Sequence, residues 1–291
     1  MSEPRHGDGE VVPAHLVRDI VARALAEDLG GRGDITGQAT IPADAVARFE
    51  LRARRPGVLA GHAAAAETFG QVDVRIEAEW HSDDDQPLSP GDRIATLSGP
   101  ARSILTAERT ALNFLGHLSG IATLTRACVD AVAGTGARIA HTRKTTPGLR
   151  SLELAAVAAG GGAAHRFGLD DAILIKDNHV AMCGGVGEAV RRAREYAGHM
   201  TRIAVEIDRL DQLPEAIEAG AESVLLDNFS LGDLRSAVQQ AANSGATLEA
   251  SGGIDLETVR AIAETGVDVI SVGALTHSAP NLDLGLDTLD S

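Results

Sequence analysis

From Arg138 onward the chain keeps one rhythm, a short apolar strand, a turn and a helix, and no other feature limits its fold as much. Strands are expected at 138–142, 172–176, 203–207, 223–227, 247–251 and 269–272, with helical periodicity around 152–159, 186–196, 213–219, 231–242 and 256–264. Strands that alternate with helices pair in parallel through crossover connections. The stretch AIEAGAESVLLDN from Ala216 and the stretch AIAETGVDVISVG from Ala261 share a helix end, a glycine turn, an acidic residue and a buried strand, as successive turns of an α/β barrel do. Six such strands are too few to close a barrel of this kind. It is therefore open-sided, or completed by a further strand near Ile121.

The part ahead of the barrel has a different pattern. Leu16, Ile20, Val21, Ala24 and Leu25 recur at helical spacing, predicting an amphipathic helix over 11–29 closed by Gly30 and Gly31. Alternating stretches at 47–53, 72–80 and 93–97 are separated by Pro56-Gly57, Asp83 to Asp85 and Pro90-Gly91, which reads as an antiparallel sheet. A long helix over 101–133, broken at Gly116 or Gly120, leads into the second domain.

Composition removes several functions. Among 291 residues, 41 acidic and 26 basic side chains give a net charge of −15, whereas a nucleic-acid binder presents a basic face. No run of apolar residues is long enough to span a bilayer, and the polar stretch 1–10 carries no secretion signal, so a cytoplasmic protein is expected. Cys128 and Cys183 form no metal or disulfide pattern and are expected to be buried as small apolar residues. Of the 26 basic residues, only Lys144 and Lys176 are lysine. Those two positions mark where a compact ammonium is wanted in place of a planar guanidinium.

Functional groups of α/β barrels sit at the C-terminal ends of the strands, which form one face. Here those ends carry Arg143 and Lys144, Lys176, Glu206, Asp227, Ser251 with Gly252 and Gly253, and Gly273 with Ala274. Both lysines fall in this set. Two ammonium groups and a guanidinium suit a polyphosphate, while Glu206 and Asp227 suit Mg²⁺ or sugar hydroxyls. The turns at Ser251–Gly253 and Gly273–Ala274 offer backbone amides to a terminal phosphate. The run Gly160 to Gly162 lacks the Lys-Ser/Thr of a nucleotide loop and reads as a flexible connection. A second cationic group, Arg109, His165 and Arg166 with His179 nearby, joins Arg143 to suit a dicarboxylate.

Several segments together resemble the quinolinate phosphoribosyltransferase family: LTAERTALNFLGHLSGIAT from Leu105, TRKTTPGLR from Thr142, GGGAAHRFGL from Gly160, LIKDNHV from Leu174, VEID from Val205, LLDN from Leu225, EASGGI from Glu249 and VGALTHS from Val272. The resemblance runs from about Asp28 to the C-terminus. It implies an N-terminal α/β sandwich domain over 1–116 with the tail 278–291, then an incomplete α/β barrel over 117–277, in a homodimer. By the same resemblance Arg109, reaching in from the partner subunit, and Arg143, His165 and Arg166 hold the carboxylates of quinolinate. Lys144 and Lys176 bind phosphoribosyl pyrophosphate and its leaving pyrophosphate, and Thr142 beside them is a further substrate-binding residue. Glu206 and Asp227 meet the ribose hydroxyls and Mg²⁺, directly or indirectly, and the turns at Ser251, Gly252 and Gly253 and at Val272, Gly273 and Ala274 meet the 5-phosphate.

Leu154, Ala155 and Ala164 depart from the family pattern and bear on acceptor preference. The alternatives are a relative acting on another pyridine carboxylate, including the one found with molybdate transport genes, and a non-catalytic phosphosugar-binding protein. A barrel aldolase or isomerase would want one Schiff-base lysine, and two lysines beside two acids fit it less well. The presence of Lys144, Lys176, Glu206 and Asp227 together favours the enzyme.

Overall fold

The structure, a computed structural model, describes residues 12–289; the polar stretch 1–10 and Val11 lie outside them. In chain order the first elements are α1 (Ala14–Leu29), α2 (Ile35–Thr40), β1 (Val46–Ala53), β2 (Gly57–Val58), α3 (His62–Val72), β3 (Glu77–Trp80), β4 (Pro87–Leu88), β5 (Arg93–Pro100) and α4 (Ala101–Ala131). There follow β6 (Arg138–Ala140), α5 (Arg150–Ala159), β7 (Ile173–Ile175), α6 (Asp177–Cys183), α7 (Val186–Tyr196) and β8 (Ile203–Ile207). The chain ends with α8 (Leu213–Glu218), β9 (Ser223–Asp227), α9 (Leu231–Ala241), β10 (Thr247–Ser251), α10 (Val259–Ala263), β11 (Val269–Ser271), α11 (Ala274–His277) and β12 (Leu284–Thr288).

These elements form two compact units. The first contains the chain up to Arg126, Thr145–Gly161 and the segment from Ser278 onward. Its sheet runs β12-β1-β5-β3 with antiparallel neighbours throughout. Leu51, Ile94 and Leu97 of that sheet are fully buried in one cluster with Ile104, Ala107, Ala111 and Leu115 of α4. Their three- and four-residue spacing puts one helical face into the core.

Gly116 and Gly120 do not break α4. A Cβ on Gly120 would stand 2.1 Å from the carbonyl oxygen of Pro280, and the Gly116 carbonyl accepts the Leu282 amide at 2.9 Å. The glycines thus admit the C-terminal segment against the helix, and Ile121 is helical rather than in a strand. Gly160 is likewise buried, because a Cβ there would meet the Ala122 carbonyl and Thr125 side chain at 2.5 Å; the triple glycine starts with a packing contact, not a flexible loop. The division of the chain differs from a cut at 116, since α4 belongs to the first unit as far as Arg126 and so does α5. The Ala-rich stretch before Val72 is helical, and the strand expected at 72–80 begins only at Glu77.

The second unit comprises Ala127–Lys144 and Gly162–His277. Its six strands are all parallel, in the order β6-β11-β10-β9-β8-β7, and β6 and β7 do not pair. An open-sided barrel results, as expected from the count of strands. Along each strand alternate residues face in and out. Val205, Val224, Leu226, Leu248 and Ile270 occupy the buried outer positions, while Glu206, Asp227, Glu249 and Ser251 line the bore. Cys128 is buried, whereas Cys183 is only half-buried, contrary to expectation.

Candidate active site

A cavity of about 510 Å³ opens at the C-terminal ends of the barrel strands. It brings together Thr142, Arg143, Lys144, His165, Arg166 and Lys176, and faces them with Glu206, Asp227 and the Ser251–Gly253 turn. Each strand delivers its inward residue within one position of its C-terminal end or shortly beyond it, so the meeting is a consequence of strand phase.

The floor is cationic. The Nε atoms of Arg143 and Arg166 are both buried and have no hydrogen-bond partner among the described residues. Arg166 donates through Nη1 to the Ala172 carbonyl (3.2 Å). Burial, and after it the neighbouring Arg143 guanidinium, pull the Arg166 pKa down from its ordinary value. An unpartnered buried polar group costs about 1–3 kcal/mol. Two such guanidiniums side by side are therefore held ready for a bound anion.

His165 forms the adjoining wall. Its amide donates to His141 Nε2 (3.0 Å), its Nδ1 accepts the Arg166 amide (2.8 Å), and its Nε2 stands 3.4 Å from Glu249 Oε1. With Nδ1 acting as acceptor, the neutral ring carries its proton on Nε2. Glu249 is 5% exposed, and this carboxylate lines the cavity without having been singled out in the sequence. The available signal was an acidic residue at an inward position of a strand otherwise built of buried small and apolar residues. His141 was missed for the opposite reason, as one polar residue just past a strand end.

At the mouth, Lys176 Nζ donates to Glu206 Oε2 at 2.8 Å, and Asn228 Nδ2 donates to Asp227 Oδ2 at 2.8 Å. The Lys144 amide donates to Thr142 Oγ1 (3.1 Å), and its carbonyl accepts the Thr276 hydroxyl (2.7 Å), pinning that turn to α11. The amides of Gly252, Gly253, Gly273 and Ala274 donate to no protein acceptor among the described residues. Val272 differs: it is 1% exposed and its amide donates to Ala140, because it still belongs to the ladder. His277, also unforeseen, brings Nε2 to 3.2 Å from where a Gly273 Cβ would stand.

Val272, Gly273 and Ala274 are not among the residues lining this cavity, and two further expected members lie elsewhere. His179 accepts the Lys176 amide through Nδ1 at 3.0 Å and so caps α6. Arg109 is exposed on α4 in the first unit and does not line the cavity. Leu154 is buried in that same unit, and Ala164 lines a second, lower cavity rather than this one.

The chain matches the family model described as quinolinate phosphoribosyl transferase, N-terminal domain, over residues 34–119 and that of the C-terminal domain over 121–287. The chain belongs to the quinolinate phosphoribosyltransferase family. A nicotinate-nucleotide pyrophosphorylase (carboxylating) of Mycobacterium leprae is 48% identical over 276 residues, covering 93% of this chain and 96% of that protein. A probable enzyme of the same name from Bacillus subtilis is 46% identical over 274 residues, or 94% of each chain. The nicotinate-nucleotide pyrophosphorylase from Francisella tularensis shares the fold with a TM-score of 0.92 at 41% identity, over 98% of this chain and 100% of that one. Membership of the quinolinate phosphoribosyltransferase family makes the chain a pentosyltransferase of NAD biosynthesis. No helix among the described residues is long and apolar enough to cross a membrane.

For this quinolinate phosphoribosyltransferase family member, Lys144→Arg and Lys176→Arg are each expected to lower kcat by about tenfold or more, since the longer planar head cannot occupy the same point. Arg192→Lys, at an exposed helix position, should leave turnover unchanged. Equal rates in all three variants, at unaltered melting temperature, would make the two ammonium groups generic charges.

Proposed function

We propose that the cavity holds quinolinate on its floor and phosphoribosyl pyrophosphate across the strand ends. The observation that carries this is the pair of adjacent arginines, Arg143 and Arg166, whose Nε atoms are buried without a hydrogen-bond partner. Two positive groups in one pocket call for a doubly charged acceptor. The reaction joins the pyridine nitrogen of quinolinate to C1 of the ribose as pyrophosphate leaves, and loss of CO₂ then gives nicotinate mononucleotide.

Arg143, Arg166 and the Nε2–H of His165 hold the carboxylates. Lys144 and Lys176 bind the pyrophosphate as its charge develops, the Ser251 hydroxyl and the free amides of Gly252, Gly253, Gly273 and Ala274 hold the 5-phosphate, and Glu206 and Asp227 take the ribose hydroxyls. Val272 supports its turn from the core. Positioning and charge stabilisation supply the catalysis, and no protein nucleophile is required. The quaternary ring nitrogen stabilises the carbanion left beside it. Because Leu154, Ala155 and Ala164 do not line the cavity, strict preference for quinolinate is expected.

The donors fit Mg²⁺ in combination with substrate. Glu206 and Asp227 offer hard oxygens on adjacent strands, yet no group of three or more His, Cys, Asp or Glu among the described residues is placed to hold a metal. The ion would thus be shared by these carboxylates, substrate oxygens and water. When bound, it supplies positive charge to the departing pyrophosphate.

Incubation with quinolinate, phosphoribosyl pyrophosphate and Mg²⁺ should yield nicotinate mononucleotide and CO₂, with nicotinate a poor substrate. Equal kcat/KM for the two acceptors would overturn the role given to the arginines. The working unit is a homodimer in the cytoplasm, with Arg109 of a second copy completing each floor. Mixing Arg109→Ala with Lys176→Ala under subunit exchange should restore activity, because some hybrid sites contain neither substitution. No recovery despite proven exchange would mean that one chain builds the whole site.

A further inference from the structure

Below the substrate cavity the barrel bore is not filled. A second cavity of about 220 Å³ lies there and shares His165, Arg166, Leu174 and Glu249 with the first. Barrel interiors are ordinarily packed by bulky branched side chains. Here four of the lining residues are Ala140, Ala164, Ala172 and Ala204, and methyl groups leave the space open. At the far end the lining turns polar, with Ser223, Thr247 and the exposed Arg138 and Arg202.

We propose that this lower cavity receives CO₂ and passes it out through the N-terminal end of the barrel. The inference rests on the decarboxylating reaction and on quinolinate lying against Arg143 and Arg166. In that step the bond from ring carbon to carboxylate breaks, the electron pair stays on the carbon beside the quaternary nitrogen, and that carbon takes a proton from water. The carboxylate is gripped by guanidinium charge only while it is an anion. Neutral CO₂ loses that attraction at the moment it forms. The mouth is then filled by the nucleotide and pyrophosphate on their lysines and turns, whereas an alanine-lined space adjoins the floor. Moving CO₂ across the Leu174 and Glu249 wall also separates it from the carbanion before the two recombine.

Ala204→Leu places a larger side chain in the lower cavity, at a position that does not itself line the upper one. In a single turnover, pyrophosphate formation measured by rapid quench is expected at the parent rate, with quinolinate Kd unchanged, while CO₂ release falls by about tenfold. Equal slowing of both products would indicate a distorted barrel and overturn the proposal, as would no slowing of either. Xenon-pressurised crystals of the parent protein give an answer independent of the variant's folding. A xenon site among the alanines is expected, and ordered water alone in that space would overturn the proposal. Failure of the parent to release CO₂ from quinolinate would instead remove the decarboxylating reading itself.

Discussion

Arg166→Ala is expected to lower kcat/KM for quinolinate by about 10²- to 10³-fold, because it removes one of the guanidiniums that hold a carboxylate of the substrate. Removing one partner of a buried, hydrogen-bonded ion pair costs about 3–5 kcal/mol, and each 1.4 kcal/mol is about tenfold in rate. The same change should raise the melting temperature of the ligand-free protein. Arg166 has an unpartnered Nε and a like charge beside it, so its loss relieves an unfavourable arrangement that a bound dianion offsets. Calorimetry on parent and variant, with and without quinolinate, checks both halves. A variant that loses activity and stability together would show that Arg166 is a structural residue.

Gly252→Ala is expected to be the second most damaging change. The residue has φ +96°, and a Cβ there would stand 2.3 Å from Asn228 Oδ1 and 2.9 Å from the Asn228 amide nitrogen. The turn must move as a whole, carrying with it amides intended for the 5-phosphate. An increase of about 100-fold in KM for phosphoribosyl pyrophosphate is expected, with about 1–3 kcal/mol lost from stability through backbone strain. Gly253→Ala is the comparison, since its Cβ would meet nothing within 4 Å, although φ is +59°. It should cost less in both measurements, and identical losses at the two positions would place the damage in backbone conformation alone.

The barrel was legible because it is built from local periodicity: β8, β9 and β10 occupy 203–207, 223–227 and 247–251, the ranges the pattern predicts. The charged strand ends were legible for the same reason. Strand phase predicts Lys176, Glu206 and Asp227 without knowledge of any distance. What escaped depends on contacts between distant parts of the chain. Gly116 and Gly120 look like helix breakers until the segment at Pro280–Leu282 is known to lie against them. β12 has a weak local signal and exists through its pairing with β1. Glu249 was hidden because its strand reads as buried, and an isolated acid in such a strand gains meaning only beside His165. Arg109, by contrast, was named in the sequence, yet on α4 it is exposed and does not line the cavity.

That late pairing of β12 sets an order on biosynthesis. The strand at Leu284–Thr288 completes the sheet containing Val46–Ala53, so a nascent chain makes most of the first unit long before it makes the edge that closes it. During translation β1 has one neighbour, β5, and a bare edge on its other side. The barrel segment of Gly162–His277 emerges and can fold during that interval, before the terminal strand leaves the ribosome. A chain cut short after His277 would therefore retain every residue of the barrel mouth yet expose an unpaired strand edge to other chains.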